Sequence, residues 1–156
     1  MMESNNIWYD RVAKEINIYQ DSLNRKVSKK YKLDLLLRIA KRVGDFSSTC
    51  GQCQLFQQEI TTLTKELSYL IQTPNKETRK RYFKTIGNIT KHLQKQHKLV
   101  TKGQYIGICM AIGVGIGAAL GAVLGNAGIG PALGTAIGLA IGSYLDKKAK
   151  KEGRVI

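Results

Sequence analysis

Apolar side chains recur every three or four residues through the first two thirds of the chain, then merge into one long apolar run. The first series, from about Ile7 to Phe46, places Trp8, Val12, Ile16, Tyr19, Leu23 and Val27 on one stripe and resumes with Tyr31, Leu35, Ile39, Val43 and Phe46. That spacing predicts a single long N-terminal helix. Ser28-Lys29-Lys30 is the place where it would break, and Gly44-Asp45-Phe46-Ser47-Ser48-Thr49 ends it. A second helix is predicted from about Cys50 to Gln72, with Leu55, Phe56, Ile60, Leu63, Leu67, Leu70 and Ile71 on one side. Thr49 and Gln52 stand in capping-box relation at its start. Thr73-Pro74-Asn75 reads as a turn, and a third helix follows to about His97 with Tyr82, Phe83, Ile86, Ile89 and Leu93 as its stripe. So short a connection makes the second and third helices an antiparallel hairpin. No segment alternates as a strand does.

From Gly103 to Leu145 there is no charged residue, and glycine recurs there at four-residue spacing in two series. One is Gly113, Gly117, Gly121 and Gly125; the other is Gly130, Gly134, Gly138 and Gly142. Each series draws a bare stripe down one helix face. In water each glycine costs a helix about 1 kcal/mol relative to alanine. In a bilayer the backbone must satisfy itself internally, and small residues let two helices approach closely. Gln104 to Gly125 is about 22 residues, enough to cross a hydrocarbon core near 30 Å thick. Asn126 to Pro131 supplies a turn, and the second crossing is expected to begin near Ala127 and end at Leu145. Tyr105 and Tyr144 then share one interface, where aromatic rings are favoured. The expected fold class is all-α: a cytosolic helical domain over residues 1–102, a transmembrane helical hairpin over 103–145, and a basic tail over 146–156.

Charge orients the hairpin. The chain of 156 residues carries a formal net charge of +14 and a pI near 9.8, while its mean hydropathy of −0.20 averages a polar part with an apolar one. Lys91, Lys95, Lys98 and Lys102 precede the apolar run, Lys147, Lys148, Lys150, Lys151 and Arg154 follow it, and the turn between has no cation. Positive flanks stay in the cytosol, so both termini are expected there and the turn outside. The opening MMESNNIWYDRV lacks the apolar core of a signal peptide. Lys98, Lys102, Lys147, Lys148, Lys150 and Lys151 are candidates for anionic headgroups. Arg79-Lys80-Arg81, with Lys76 and Lys84, forms a second cationic region whose simplest reading is a solvated face. Nucleic acid is compatible with it, but no recognition motif favours that partner.

The repeated GxxxG spacing from Gly113 to Gly142 resembles the glycine-zipper double-membrane-spanning domains of small bacterial proteins, and is similar to the apolar halves of some pore-forming bacteriocins. The resemblance covers the last third of the chain. It implies a place in a bacterial inner membrane, helix association and a homo-oligomer, in some cases around a pore. Gly107, Ala111, Gly115 and Ala119 mark a second small-residue face on the first crossing, which exceeds what one hairpin needs.

Candidate chemistry is confined to four residues. Cys50 and Cys53 form a CxxC, and His92 and His97 are the two histidines. On an antiparallel hairpin both pairs fall at its open end, where two thiolates and two imidazoles would make a tetrahedral set for zinc. An i, i+5 pair diverges by about 140° on a regular helix, so the third helix must loosen or end near His97. Competing readings are a thioredoxin-type redox pair, which normally follows a strand, and unrelated thiols and histidines. Cys109 is a small structural residue inside the apolar run, and three cysteines do not make a disulfide framework. No phosphate-cradling loop and no nucleophile with a placed base is present, so no enzymatic activity is expected. The functional expectation is a self-associating membrane protein, pore-forming or membrane-perturbing. The alternative is a membrane-anchored adaptor or scaffold whose basic, zinc-stabilised domain binds a cytosolic protein or nucleic acid.

Overall fold

A computed structural model of the chain describes residues 5–73, 75–126 and 128–156. The turn residue Pro74 and the helix start expected at Ala127 lie outside them. Among the described residues there are seven helices: α1 (Asn5–Ser22), α2 (Arg25–Lys30), α3 (Leu33–Phe46), α4 (Gly51–Gln72), α5 (Lys76–Gln96), α6 (Gln104–Val123) and α7 (Ile129–Lys151). The fold is all-helical; an isolated parallel bridge joins Val100 to Val155. The chain divides into two compact units, one ending at His97 and the other beginning at Lys98.

In the first unit the long N-terminal helix expected from the sequence is three helices. Asn24 interrupts it by capping α2, its side chain accepting a hydrogen bond from the Lys26 N–H at 3.0 Å. Lys32 then takes a left-handed conformation with φ 52°, which stops one helix and starts the next. This second break resets the helical phase. Leu33, Leu36 and Ala40 join Ile39 and Val43 in the core, while Leu35, which a continuous helix would bury, is only half-buried. Ser28-Lys29-Lys30, the break suggested by polarity, lies inside α2.

The core of this unit gathers Trp8, Val12 and Ile16 from α1, the α3 stripe, Phe56, Ile60, Leu63, Leu67 and Leu70 from α4, and Tyr82, Ile86, Ile89 and Leu93 from α5. Leu55, placed on the α4 stripe by sequence, is exposed instead. Polar atoms within the core are paired. The Trp8 indole donates to Thr61 Oγ1 at 3.0 Å, Tyr82 donates to the Tyr31 carbonyl at 2.9 Å, and Tyr31 donates to the Leu70 carbonyl at 3.3 Å. α4 and α5 run antiparallel, since the start of α4 meets the end of α5 and Arg81 pairs with Glu66 near the turn.

In the second unit α6 and α7 pack side by side and antiparallel through their glycines. A Cβ at Gly113 would collide with the Gly134 carbonyl, one at Gly117 with the Gly130 carbonyl, and one at Gly138 with the Cys109 carbonyl. A Cβ at Gly142 would sit 2.6 Å from the Ile106 Cα, and one at Gly121 would sit 2.8 Å from the Asn126 carbonyl oxygen. Both stripes are therefore spent on each other, backbone against backbone, as van der Waals packing requires where no side chain intervenes. Gly125 departs from its series: it lies beyond the end of α6, takes φ +70° and is a turn residue, not a packing one. Gly107 and Gly115 face open space.

The N-terminus of α6 is closed from across the pair. Asp146 of α7 accepts hydrogen bonds from the Tyr105 N–H at 3.2 Å and the Ile106 N–H at 3.3 Å, satisfying donors that a helix start leaves free. Residues 146–151, expected in a tail, continue α7. Beyond it the chain turns back at Gly153, where φ is +67°. The Val100 N–H then donates to the Arg154 carbonyl at 2.8 Å, and the Ile156 N–H to the Val100 carbonyl at 2.9 Å.

Leucine at Gly134 should destabilise the helix pair by at least about 2 kcal/mol, because backbone must move to admit it. Leucine at Gly107 should be neutral or slightly stabilising. Thermal unfolding of the two variants in detergent checks this contrast.

Candidate metal centre

The four candidate ligands come from two helix ends. Cys50 is the N-cap residue of α4, with extended backbone (φ −130°, ψ 108°), and Cys53 lies in the first turn. The capping box expected from Thr49 and Gln52 is not the one used: no side chain caps α4, and Thr49 Oγ1 donates to the Phe46 carbonyl at 3.3 Å instead. His92 lies in the last turns of α5, and His97 is its C-cap residue, with φ −103° and ψ 6°. Lys98, at φ 55°, ends the helix there. The end of α5 removes the objection to an i, i+5 pair, since His97 is no longer held to the helical progression.

Both pairs converge. Cys50 Sγ lies 3.4 Å from His92 Nε2, Cys53 Sγ lies 3.6 Å from the same nitrogen, and Cys53 Sγ lies 3.4 Å from His97 Nε2. All four donor atoms fall within 4.8 Å of one another. A tetrahedral zinc ion with ordinary Zn–S and Zn–N bonds would separate sulfur from nitrogen by about 3.6 Å, which these distances match. Hydrogen bonding alone accounts for the arrangement less well. His92 Nε2 has a single lone pair or a single hydrogen, yet it has two sulfurs in contact.

No family model, curated protein or solved structure matches the chain. The centre has to be judged on its own chemistry.

Its donors are suited to a metal and poorly suited to redox work. Cys53 is fully buried, and burial pushes its thiol up to about 12, with Cys50 adding to the rise through a hydrogen bond and charge repulsion. Cys53 held that high is a weak nucleophile, and among the described residues the CxxC follows no strand, the context in which a thioredoxin-like pair normally sits. Burial lowers His92 below its ordinary 6.5, and burial with repulsion from His92 lowers His97. Both imidazoles therefore stand neutral at pH 7 with a lone pair available. Two neutral imidazoles and two thiols, all from protein, make a closed set of the structural type.

Aromatic rings fix the imidazoles. Phe46, the last residue of α3, stacks on His97 with ring centroids 3.9 Å apart and planes 18° from parallel. Phe56 meets His92 edge-on at 5.3 Å. Neither role is visible in the sequence, where both phenylalanines count only as stripe positions. With Phe46 included, three helices meet at the centre, so an ion there would pin the ends of α3, α4 and α5.

The remaining sequence candidates lie in the second unit. Lys98 and Lys102 precede α6, and Lys147, Lys148, Lys150 and Lys151 lie in the last turns of α7, all exposed. The Asp146 bonds to Tyr105 and Ile106 put Lys102 and the α7 cluster at the same end of the helix pair. Cations in the last turn also complement the α7 dipole.

Zinc should bind in one-to-one stoichiometry and release two thiol protons, so its apparent affinity should rise about a hundredfold per pH unit near neutrality. The histidines add a further loss only as pH falls below 6.5. Cobalt substitution followed by absorption spectroscopy, with Cys53→Ser as the negative control, measures both.

Proposed function

We propose that the chain is a membrane-anchored adaptor, in which a glycine-packed hairpin holds a zinc-clipped, basic helical domain at the cytosolic face of a bacterial inner membrane. One observation carries the anchor. α6 is long and apolar enough to cross a membrane, and only 11% of its apolar window is buried. The core helix of a soluble protein is mostly buried; this one turns Ile108, Ile112, Ile116 and Leu120 outward. α7 turns out Leu133, Ile137, Leu139 and Ile141 in the same way. An apolar surface that continuous is stable where lipid is the solvent.

Among the described residues α6 is the one helix long and apolar enough to cross, and α7 would be the shorter crossing of the proposed hairpin. The apolar part of α7 runs from Ile129 to Leu145, about 17 residues, at the lower end of the spanning range. Lysines just beyond it can snorkel to the interface, and the lysines at both ends of the hairpin favour a cytosolic position for both. A reducing cytosol also keeps Cys50 and Cys53 available to zinc.

Self-association is a second reading, favoured by the face of α6 that carries Gly107 and Gly115, which nothing covers. A water-filled pore has less support. The glycine stripes are engaged within the hairpin, and the Thr135 hydroxyl gives its one hydrogen to the Pro131 carbonyl at 2.7 Å.

The protein should remain in the membrane pellet after alkaline carbonate extraction; release into the supernatant would defeat the anchor. Its mass in mild detergent, with Gly115→Leu beside it, decides self-association, and rapid depolarisation on induction would favour the pore over the adaptor.

A further inference from the structure

The outward side of α7 changes chemistry along its length. Leu133, Ile137, Ile141, Tyr144, Lys148 and Lys151 succeed one another at three- and four-residue steps, so they form one stripe on one helix. All six are exposed, while Gly138, Gly142 and Ala149 mark the buried side. The stripe is aliphatic, then aromatic, then cationic. Its dimensions are those of half a bilayer. Leu133 to Tyr144 rises about 16 Å, close to one monolayer's share of a hydrocarbon core about 30 Å thick. Lys148 and Lys151 follow about 6 Å and 10 Å beyond Tyr144, where a headgroup layer about 5–7 Å deep begins and ends. Their flexible stems let both ammonium groups settle within it. The acids beside them are engaged: Asp146 accepts from the Tyr105 and Ile106 N–H groups, and Glu152 pairs with Arg154. Lys147 and Lys150 add further charge within the same two turns.

We propose that this stripe binds one anionic phospholipid. An acyl chain lies along Leu133, Ile137 and Ile141, the ester region meets Tyr144, and Lys148 and Lys151 hold the phosphodiester. The inference rests on the anchor reading and names the lipid that the anchor selects. Charge chooses the headgroup. A zwitterionic headgroup brings its own cation toward four lysines within five residues, whereas a phosphodiester carrying an uncharged polyol does not. Continuity chooses lipid over a free phosphate or a nucleic acid. Those ligands can use the lysines, but they leave Tyr144, 68% exposed, and the aliphatic residues before it uncovered. A second copy of the chain can cover the aliphatic residues. In the same bilayer, though, its lysines stand at the same height, so packing stripe on stripe sets like charges together.

The test uses the full chain, zinc-loaded and purified in mild detergent, with native mass spectrometry after addition of phosphatidylglycerol or phosphatidylcholine of identical chains. Phosphatidylglycerol should bind about tenfold more tightly, with the margin shrinking as ammonium acetate is raised. Lys148→Gln/Lys151→Gln should bring the two lipids within about twofold of each other. Lys80→Gln/Lys84→Gln, which removes equal exposed charge from α5, should leave the preference intact. Equal binding of both lipids by the unmodified chain overturns the proposal, as does equal loss of preference in the two double variants. Displacement of phosphatidylglycerol by soluble glycerol phosphate would assign the lysines to a free anion, and a dimer that excludes lipid would assign the stripe to a second copy; either result overturns it too. Carbonate extraction of the same variants reads the anchor separately. Protein that stays in the pellet without a lipid preference keeps the anchor and loses this inference.

Discussion

Two thiols and two imidazoles crowded within 4.8 Å of one another are the constraint on which the first unit depends. Such groups need a reason to share a junction that is partly or wholly shielded from water. Left to themselves they offer each other a few weak sulfur–nitrogen hydrogen bonds, with one nitrogen shared between two sulfurs. A divalent ion turns the same crowding into four bonds. The local backbone is arranged to permit it. α4 starts without a side-chain cap, at a cost of about 1 kcal/mol, and Cys50 occupies the capping position. Lys98 takes a left-handed conformation that α5 needs in order to stop at His97. Both are small losses of helix stability located where ligation would compensate for them.

The contact between α6 and α7 solves the opposite problem, with almost no polar groups. It is backbone on backbone, possible only where both helices omit side chains at matching intervals. Gly113, Gly117 and Gly121 on α6 and Gly130, Gly134, Gly138 and Gly142 on α7 meet that condition. The bulky residues left over are turned outward. A glycine-rich helix is thus given its stability by its neighbour, and the pair exposes to its surroundings a surface of isoleucine and leucine.

Much of this is legible from residue spacing, and the exceptions have physical causes. The helices α4 to α6 follow from their periodic or apolar runs, and the Cys/His convergence follows from placing both pairs on one antiparallel hairpin. Spacing alone makes the N-terminal helix continuous, because its apolar period survives the breaks. Asn24 capping and the left-handed Lys32 are local backbone events that periodicity does not register, and the register shift from Leu35 to Leu36 follows from them. Leu55 shows that a residue one position from a stripe can fall on either side of the burial boundary. Gly125 fits its series by number alone; the end of α6 makes it a turn. The ring contacts of Phe46 and Phe56 are illegible because a core phenylalanine and an imidazole-orienting one have the same sequence signature.

Asp146 has a consequence for how the hairpin is made. The carboxylate that closes the start of α6 is supplied from 41 residues later in the chain. During synthesis α6 therefore emerges with its leading amide donors uncovered, and the turn and nearly all of α7 must follow before the seal can form. Completion of the first helix is tied to arrival of the second, so in the proposed membrane setting the two would be best delivered as a pair. A ribosome stalled inside α7 would leave a helix with its leading end still wet.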